Sequence, residues 1–239
     1  MKNNLKQFLL NIWFLKNKFK KSENIFNDIY KSHKWGKSNS GFSSGAGTRS
    51  TNVAIYIEEI QKFVKKNCIT SIVEFGCGDF TVMSEILDNR EINYTGYDIS
   101  SVILSSNRGK YRRSNIEFIQ SDCSNILFDP KRGDLLIIRQ VLQHIDNESI
   151  KNILRHLDKY EFVIITEHLA KYPSKFNIDK VIGAHTRVHY NSGVFIDKPP
   201  FQIKAQEFLS YDENLRFAGN FLEAEIKSLL IVNNRNNLL

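Results

Sequence analysis

Two closely spaced glycines, and an acid further along the chain, are the residues whose spacing most clearly indicates chemistry. The glycines belong to Glu74-Phe75-Gly76-Cys77-Gly78-Asp79, which follows a short apolar run. Glycines in such a turn let the backbone approach a ligand closely, and a helix that follows presents free N–H groups. Asp98 lies 20 residues after Gly78, where an acid in a doubly wound sheet accepts hydrogen bonds from ribose hydroxyls. The spacing predicts a ligand that contains a ribose. The hydride-transfer fingerprint GxGxxG is incomplete, because Thr81 stands at its third glycine.

Polar residues also follow two later apolar runs. Asp122 ends the run in "FIQSDCS", where its carboxylate could accept a hydrogen bond from an adenine amino group, and the backbone N–H of Cys123 could reach a ring nitrogen. A turn cap after the strand is the alternative for Asp122. Arg139 and Gln140 end the next run. Ligands in doubly wound sheets bind at the carboxyl ends of the strands, so these residues are candidates for the same site.

Histidine is suited to remove a proton from a substrate, because its ordinary pKa is ~6.5. The chain has 6 histidines. His144 follows the fourth apolar run by one helical turn, and His168 ends the fifth run beside Glu167, which could orient it. His185 and His189 are four residues apart in a later segment, and a structural role is the alternative for each histidine. Asp146-Asn147 could chelate a metal, but a helix N-cap explains the pair better, so no metal site is predicted.

The elements that must position these residues alternate along the chain. Apolar runs at 71–75, 94–99, 116–121, 135–139 and 162–166 predict strands, and stretches at 81–89, 101–110 and 147–157 predict helices. This alternation is typical of a parallel sheet with crossover helices. Two closing strands follow within 201–212 and 225–233. We therefore predict an α/β fold with a Rossmann-like, doubly wound, mostly parallel seven-stranded sheet. Residues from about 169 to 201 form a long irregular insertion, and we expect them to be a lid over the substrate.

The first 66 residues are predicted to be a helical extension before the main domain of 67–239. Residues 1–21 have the pattern of a basic amphipathic helix, which either packs on the domain or a partner subunit or lies on an anionic membrane face. The run is too short to span a bilayer and has no signal-peptide cleavage site. Residues 32–51 are a Gly/Ser-rich loop, and 52–66 are predicted to be a helix.

Composition narrows the partners and the compartment. The formal net charge is +7, from 33 Lys and Arg against 26 Asp and Glu, which favours anionic partners, although a solvated lysine-rich surface is the alternative. The 3 cysteines have no CxxC spacing, which is typical of a reducing cytoplasm. We predict a cytoplasmic protein, with contact at the inner membrane face as a further alternative.

In their order and spacing, "VEFGCGD", "YTGYDIS", "SD" and "DLLIIRQVLQHI" resemble the successive motifs of class I S-adenosylmethionine-dependent methyltransferases. The resemblance implies S-adenosyl-L-methionine as cofactor and S-adenosyl-L-homocysteine as product. It also implies roles for individual residues. The methionine part would face Gly76, Cys77 and Gly78, supported by Glu74, and the Gly/Ser loop at 45–48 would close over the carboxylate. The ribose and adenine would contact Asp98, Ile99, Asp122 and Cys123, and Arg139 and Gln140 would lie near the sulfonium.

A finer resemblance concerns the acceptor. "IFNDIYKSHKWG", "SGAGT", "FGCGDF" and "VLQHI" are similar to segments of small bacterial methyltransferases of capsule and surface polysaccharide biosynthesis. It implies O-methylation of a sugar hydroxyl, or of a phosphorylated or phosphoramidate sugar modifier. Candidate base residues are His144 and His168, and candidate acceptor contacts are Trp35, Arg49, His185 and Arg187, whose arginines suit an anionic acceptor.

The remaining functional alternatives are a small-metabolite or RNA methyltransferase and a non-catalytic module with the same fold. The chain has neither an Asn/Asp-Pro-Pro-aromatic motif after the fourth strand nor an added RNA-binding module. We therefore expect a small-molecule or glycan acceptor and no nucleic-acid partner. Membrane or dimer contact through residues 1–21 stays open.

Overall fold

The structure is a computed structural model, and it describes residues 22–38, 41–48, 50–88, 91–217 and 219–233. The predicted amphipathic helix at 1–21 and the candidate acceptor contact Arg49 lie outside the described residues. Among the described helices, none is both long enough and apolar enough to cross a membrane.

A seven-stranded sheet forms the centre of the protein. Its strands are β3 (Ser71–Phe75), β4 (Asn93–Asp98), β5 (Ile116–Gln120), β6 (Gly133–Arg139), β7 (Tyr160–Ala170), β8 (Gln206–Asp212) and β11 (Ala224–Val232). Their order across the sheet is β5-β4-β3-β6-β7-β11-β8. Strands β3 to β7 run parallel, and β11 lies antiparallel between β7 and β8. The predicted fold class is confirmed.

Helices cover both faces of this sheet. They are α1 (Ser22–Lys31), α2 (Val53–Lys66), α3 (Thr81–Leu87), α4 (Ser101–Lys110) and α5 (Asn147–Leu154). One apolar core includes the buried sides of α2, α3 and α4, and a second core includes that of α5. Because both faces are covered, the central strands are apolar on both sides, as in the buried run Leu135 to Ile138.

The connection between β7 and β8, residues 171–205, is called the connecting segment. It contains one short 3₁₀ helix, Arg187–Tyr190, and no strand. It packs on the same face as α5, because Val194, Ile196 and Phe201 are buried in the second core. Strand β8 begins at Gln206, so residues 201–205 of the predicted closing strand belong to this segment instead.

Two small hairpins and one helix were not predicted from the sequence. Strands β1 (Lys37–Ser38) and β2 (Gly41–Phe42) pair within the Gly/Ser-rich loop, and β9 (Leu215–Phe217) pairs with β10 (Asn220–Leu222). Helix α1 is amphipathic, with Ile25, Ile29 and Tyr30 buried. It lies against α4, and this contact brings the N-terminal residues to the carboxyl ends of the strands.

Candidate active site

A pocket opens at the carboxyl ends of β3, β4 and β6, where the strand order reverses. This position is the usual ligand site of a doubly wound sheet. The structure brings all ten of the predicted cofactor residues to the pocket wall: Glu74, Gly76, Cys77, Gly78, Asp98, Ile99, Asp122, Cys123, Arg139 and Gln140. They come together because parallel strands end at the same edge of the sheet.

The glycines of the turn after β3 are required by their surroundings. Gly76 has φ of +74°, and a Cβ there would lie 2.4 Å from Cγ2 of Val141. Gly78 has φ of +53°, and its Cβ would lie 2.3 Å from Oγ of Ser44. Side chains other than hydrogen are disfavoured by both the backbone conformation and the contacts. The turn therefore presents bare backbone to the pocket.

Asp98 ends β4 with its carboxylate fixed by two backbone groups. Its Oδ2 accepts from the N–H of Gly78 at 3.0 Å, and its Oδ1 accepts from the N–H of Ser100 at 2.9 Å. Burial raises the pKa of Asp98 to about 6, against the lowering effect of these hydrogen bonds. Each oxygen keeps capacity for a further donor. The side chain is suited to accept hydrogen bonds from two neighbouring hydroxyls.

The next strand end places Asp122 and Cys123 at the pocket. Oδ1 of Asp122 accepts from both the backbone N–H and the hydroxyl of Ser124, at 2.9 and 2.6 Å. Asp122 is thus a turn cap, the alternative considered from the sequence, and it also lines the pocket. Cys123 is buried, and burial raises the pKa of its thiol. Its role toward a ligand stays a prediction.

Arg139 and Glu74 form the polar floor of the pocket. The guanidinium of Arg139 lies 5.0 Å from the ring centroid of Tyr56 and donates from Nη2 to the carbonyl of Gly47 at 2.7 Å. Its Nε is buried and has no hydrogen-bond partner among the described residues. Burial raises the pKa of Glu74 to about 8, opposed by a hydrogen bond from Tyr94 and by the charge of Arg139. The floor has an unused buried donor that a ligand carboxylate could satisfy.

Residues 43–48 of the Gly/Ser-rich loop are hydrogen-bonded to the glycine turn after β3. The N–H of Ser44 donates to Oδ2 of Asp79 at 2.7 Å, and the N–H of Asp79 donates to Oγ of Ser44 at 2.6 Å. Gly47 lies so close to Gln140 that a Cβ would be 2.1 Å from its Oε1. The loop therefore covers one end of the pocket. Sequence inspection missed Ser44 and Asp79 as pocket residues, since their pairing spans 35 residues.

Helix α1 contributes an aromatic wall. Phe26 and Tyr30 lie one turn apart and line the pocket together with Trp35. Asn27 attaches the helix to the turn after β4, because its Oδ1 accepts from the hydroxyl of Ser100 at 2.7 Å. Of these residues only Trp35 was predicted for the site. All of them lie in the stretch "IFNDIYKSHKWG", where the i, i+4 spacing of Phe26 and Tyr30 could have indicated that both face the same side of a helix.

His144 lies in the pocket beside Trp35, with ring centroids 4.9 Å apart. Its Nδ1 is 3.2 Å from the carbonyl oxygen of Gly183. A carbonyl only accepts, so in the neutral ring Nδ1 carries the hydrogen and Nε2 carries the lone pair. Burial, and then the charge of Lys180, lower the pKa of His144 to about 3. The ring is therefore neutral at physiological pH, and its acceptor nitrogen Nε2 lies 3.3 Å from Nε2 of Gln143, which donates to it in this tautomer.

His168 is placed away from the pocket lining. Its Nε2 donates to the carbonyl of Glu213 at 2.7 Å. The expectation that Glu167 orients His168 is wrong, because successive residues of a strand point to opposite faces of the sheet. Glu167 instead accepts hydrogen bonds from the backbone after β6. The structure thus leaves His144 as the candidate base within the pocket.

The two described acceptor candidates of the connecting segment do not line the pocket. His185 is half-buried, and its ring centroid lies 5.3 Å from that of His189. Arg187 is fully buried and donates to the carbonyl of Ile145 and to Oδ1 of Asn147, each at 2.7 Å. Direct contact between Arg187 and an acceptor, as predicted, is not compatible with this geometry. The segment reaches the pocket through Ile182.

Residues 72–160 match the family model described as Methyltransferase domain. A sequence search of curated proteins finds no match. The fold is similar to that of TehB from Haemophilus influenzae, with a TM-score of 0.53 and 9% identity over 74% of this chain and 62% of that chain. This chain thus spans less than two thirds of TehB.

Two further solved structures match over more of their length. One reports the conversion of a disulfide bond into a thioacetal group during echinomycin biosynthesis, with a TM-score of 0.53 and 11% identity over 90% of this chain and 95% of that chain. The other is the N-terminal domain of EvdMO1 with SAH bound, with a TM-score of 0.51 and 12% identity over 81% of this chain and 86% of that chain. At these identities the likeness concerns the fold.

Proposed function

We propose that this chain, which carries a methyltransferase domain on the class I fold, uses S-adenosylmethionine to methylate a hydroxyl group of a sugar or of a phosphorylated sugar modifier. The cell-surface polysaccharide context of this proposal is based on the resemblance of "IFNDIYKSHKWG", "SGAGT" and "VLQHI" to bacterial enzymes of that class. The observation that carries the proposal is His144, a neutral ring with an acceptor nitrogen in the pocket.

S-adenosylmethionine fits the residues of the pocket. The bare turn at Gly76 and Gly78 allows close approach, Asp98 offers two carboxylate oxygens to a ribose, and Nε of Arg139 is a buried donor without a partner among the described residues. Asp98 would hold the ribose and Arg139 the carboxylate. When bound, this cofactor supplies a methyl group that is already activated for displacement.

Methylation of an alcohol requires alignment of the hydroxyl and acceptance of its proton. Alignment can contribute about 7–11 kcal/mol in ideal cases, and a general base contributes about 10²- to 10⁴-fold. His144 is suited to the second task because the bond from Nδ1 to Gly183 leaves Nε2 as the acceptor. The amide of Gln143, 3.3 Å from Nε2, would give way to the substrate hydroxyl. We propose that Nε2 accepts the hydrogen bond of the substrate hydroxyl and takes its proton as the hydroxyl oxygen bonds the methyl group, which the cofactor would release from its sulfur. A pKa of about 3 makes His144 a weak base, so proton transfer is late in this scheme.

The surroundings of His144 support an acceptor with a ring and a negative charge. Trp35 offers an aromatic surface beside the histidine, and aromatic side chains bind the apolar faces of ring-shaped ligands. Lys180 donates to the carbonyl of His144, and the charges of Lys180 and Lys34 lower the pKa of His185 after the effect of burial. Burial lowers the pKa of Lys180 to about 7, and when protonated Lys180 would favour a phosphorylated acceptor over a neutral one.

A screen of acceptors tests the substrate class. Purified protein would be incubated with S-adenosylmethionine and with nucleotide-activated sugars, phosphorylated sugars or RNA. We expect formation of S-adenosylhomocysteine and a mass gain of one methylene group on a phosphorylated sugar. Transfer only to RNA, or only to small metabolites without a sugar, would overturn the proposal.

A histidine variant tests the mechanism. We expect His144→Gln to lower kcat by about 10²-fold, the lower end of the range for a general base because His144 is a weak one, and to leave the affinity for S-adenosylhomocysteine within a few-fold. His168→Gln is the matched control, because this histidine is bonded to Glu213 outside the pocket lining. Equal losses of kcat in the two variants would contradict the assignment of His144.

A further inference from the structure

The turn after β6, residues 141–145, carries His144 and is held from outside at both ends. At its N-terminal end, the carboxylate of Glu167 on β7 accepts from three successive backbone N–H groups. The distances are 3.1 Å from Val141, 2.9 Å from Leu142 and 3.1 Å from Gln143. One side chain thus satisfies donors that a short turn cannot satisfy within itself.

At the other end of this turn, donors from the connecting segment satisfy the carbonyls. Nη2 of Arg187 donates to the carbonyl of Ile145 at 2.7 Å. The carbonyl of His144 accepts from Nζ of Lys180 at 3.2 Å and from the N–H of Gly183 at 2.9 Å. The acceptor oxygens of Glu167 therefore match the N–H end, and donors of Arg187, Lys180 and Gly183 match the carbonyl end.

The side chains of Glu167 and Arg187 are too buried to contact a ligand in the pocket. Glu167 is 2% exposed and Arg187 is 0% exposed, and neither lines the pocket. Burying ionisable groups costs free energy, and apolar side chains of similar size often give equal or greater stability. Stability alone is thus a weak reason for this arrangement. A requirement for a fixed turn geometry explains it better.

We propose that Glu167 and Arg187 are positioning residues for His144, an inference that rests on the proposed function. Together they fix the 141–145 turn so that Nδ1 of His144 reaches the carbonyl of Gly183. Nε2 is then left as the acceptor nitrogen, which bonds Gln143 of the same turn until a substrate hydroxyl replaces that amide. Arg187 belongs to the connecting segment, so the same contacts join that segment to the turn. A displacement of about 1 Å in a reacting group can cost as much as 10²-fold in rate, which is why a fixed turn matters.

The test uses the full chain with ¹⁵N-labelled histidine. In the wild type, nitrogen NMR should show His144 with hydrogen on Nδ1 and an unprotonated Nε2. Glu167→Gln has one oxygen fewer to accept the three N–H groups, so we expect the His144 signals to shift toward a mixture of tautomers. Arg187→Lys, which cannot donate to Ile145 and Asn147 in the same way, should have a similar effect and serves if the first variant does not fold.

Kinetics provide the second readout. Both variants should lower kcat by about 10- to 100-fold, as expected for a misplaced group, while binding of S-adenosylhomocysteine and the acceptor KM change by no more than a few-fold. Glu213→Gln is the control, because this carboxylate accepts from Ser50 outside the pocket lining and should leave His144 unchanged. Folded variants with wild-type His144 signals would overturn the inference. The NMR readout needs no acceptor, so it separates this failure from a failure of the proposed function.

Discussion

Asp98 shows how one side chain can be prepared for a ligand by its own backbone. The N–H groups of Gly78 and Ser100 orient its two oxygens, and both groups lie next to the turns that form the pocket. Burial raises the pKa of this carboxyl to about 6, so it is mostly ionised at neutral pH. An oriented carboxylate with little water around it binds hydroxyl groups strongly, because hydrogen bonds to charged groups are the stronger ones.

We expect Asp98→Ala to weaken binding of S-adenosylhomocysteine by at least about 10- to 100-fold, since one hydrogen bond to a charged group contributes about 1.5–3 kcal/mol. Isothermal titration calorimetry measures the effect. Asp134→Asn is the matched control, because Asp134 accepts from Thr70 and Ser71 near the start of β3, at the opposite edge of the sheet. Unchanged affinity in the alanine variant would show that the cofactor site is wrongly assigned.

At the scale of elements, the pocket depends on how closely the turn after β3 approaches the turn after β6. Gly76 permits this approach, since a Cβ there would meet both Cγ atoms of Val141. The contact also explains why the glycine turn and His144 are parts of one site. The 141–145 turn packs against Gly76 on one side and is bonded to Glu167 on another.

A pair of glycine variants tests this dependence. We expect Gly76→Ala to destabilise the protein by at least about 1–3 kcal/mol, from strain at positive φ, and to weaken S-adenosylhomocysteine binding as the two turns separate. Gly109→Ala is the control, because a Cβ there meets nothing within 4 Å and the residue lies in α4. It should increase stability by up to about 1 kcal/mol. Urea denaturation measures both, and a neutral Gly76→Ala would contradict the packing argument.

At the scale of the whole molecule, ionisable groups buried around the pocket affect stability in opposite directions. His144 has its pKa lowered to about 3, while Asp98 has its pKa raised to about 6, and burial is the largest cause for each. His144 binds a proton more readily in the unfolded chain than in the folded protein. Its contribution to the free energy of unfolding is therefore present above pH ~6.5 and is lost as the pH falls toward its folded-state pKa. The contribution of Asp98 is present below its ordinary pKa of ~3.9 and is lost as the pH rises through about 6.

The effects of His144 and Asp98 on stability overlap in pH, so the effect of His144 is isolated by comparing the wild type with His144→Gln. The unfolding free energy of the wild type minus that of His144→Gln should become smaller as the pH is lowered from about 6.5 to 4.5, since glutamine takes up no proton. Urea denaturation at several pH values measures this difference. A difference that stays constant from pH 8 to 4.5 would show that His144 is not buried as a neutral ring.

The sequence by itself determined the parallel sheet and the residues at its carboxyl edge. Apolar runs with turn residues between them predict strands from short-range information alone. The positions of Asp98, Asp122 and Arg139 then follow, because the ends of parallel strands meet at one edge. This is why the predicted cofactor residues all line the pocket.

Only the tertiary structure decided which of the remaining polar residues meet. The packing of α1 brings Phe26 and Tyr30 to the pocket, and the alternation of strand faces sends Glu167 to the 141–145 turn and His168 to Glu213. The path of the connecting segment buries Arg187 behind the pocket. The physical reason is that these contacts join residues far apart in the chain. Local periodicity records which face a residue occupies, whereas contacts between distant segments depend on how complete elements pack.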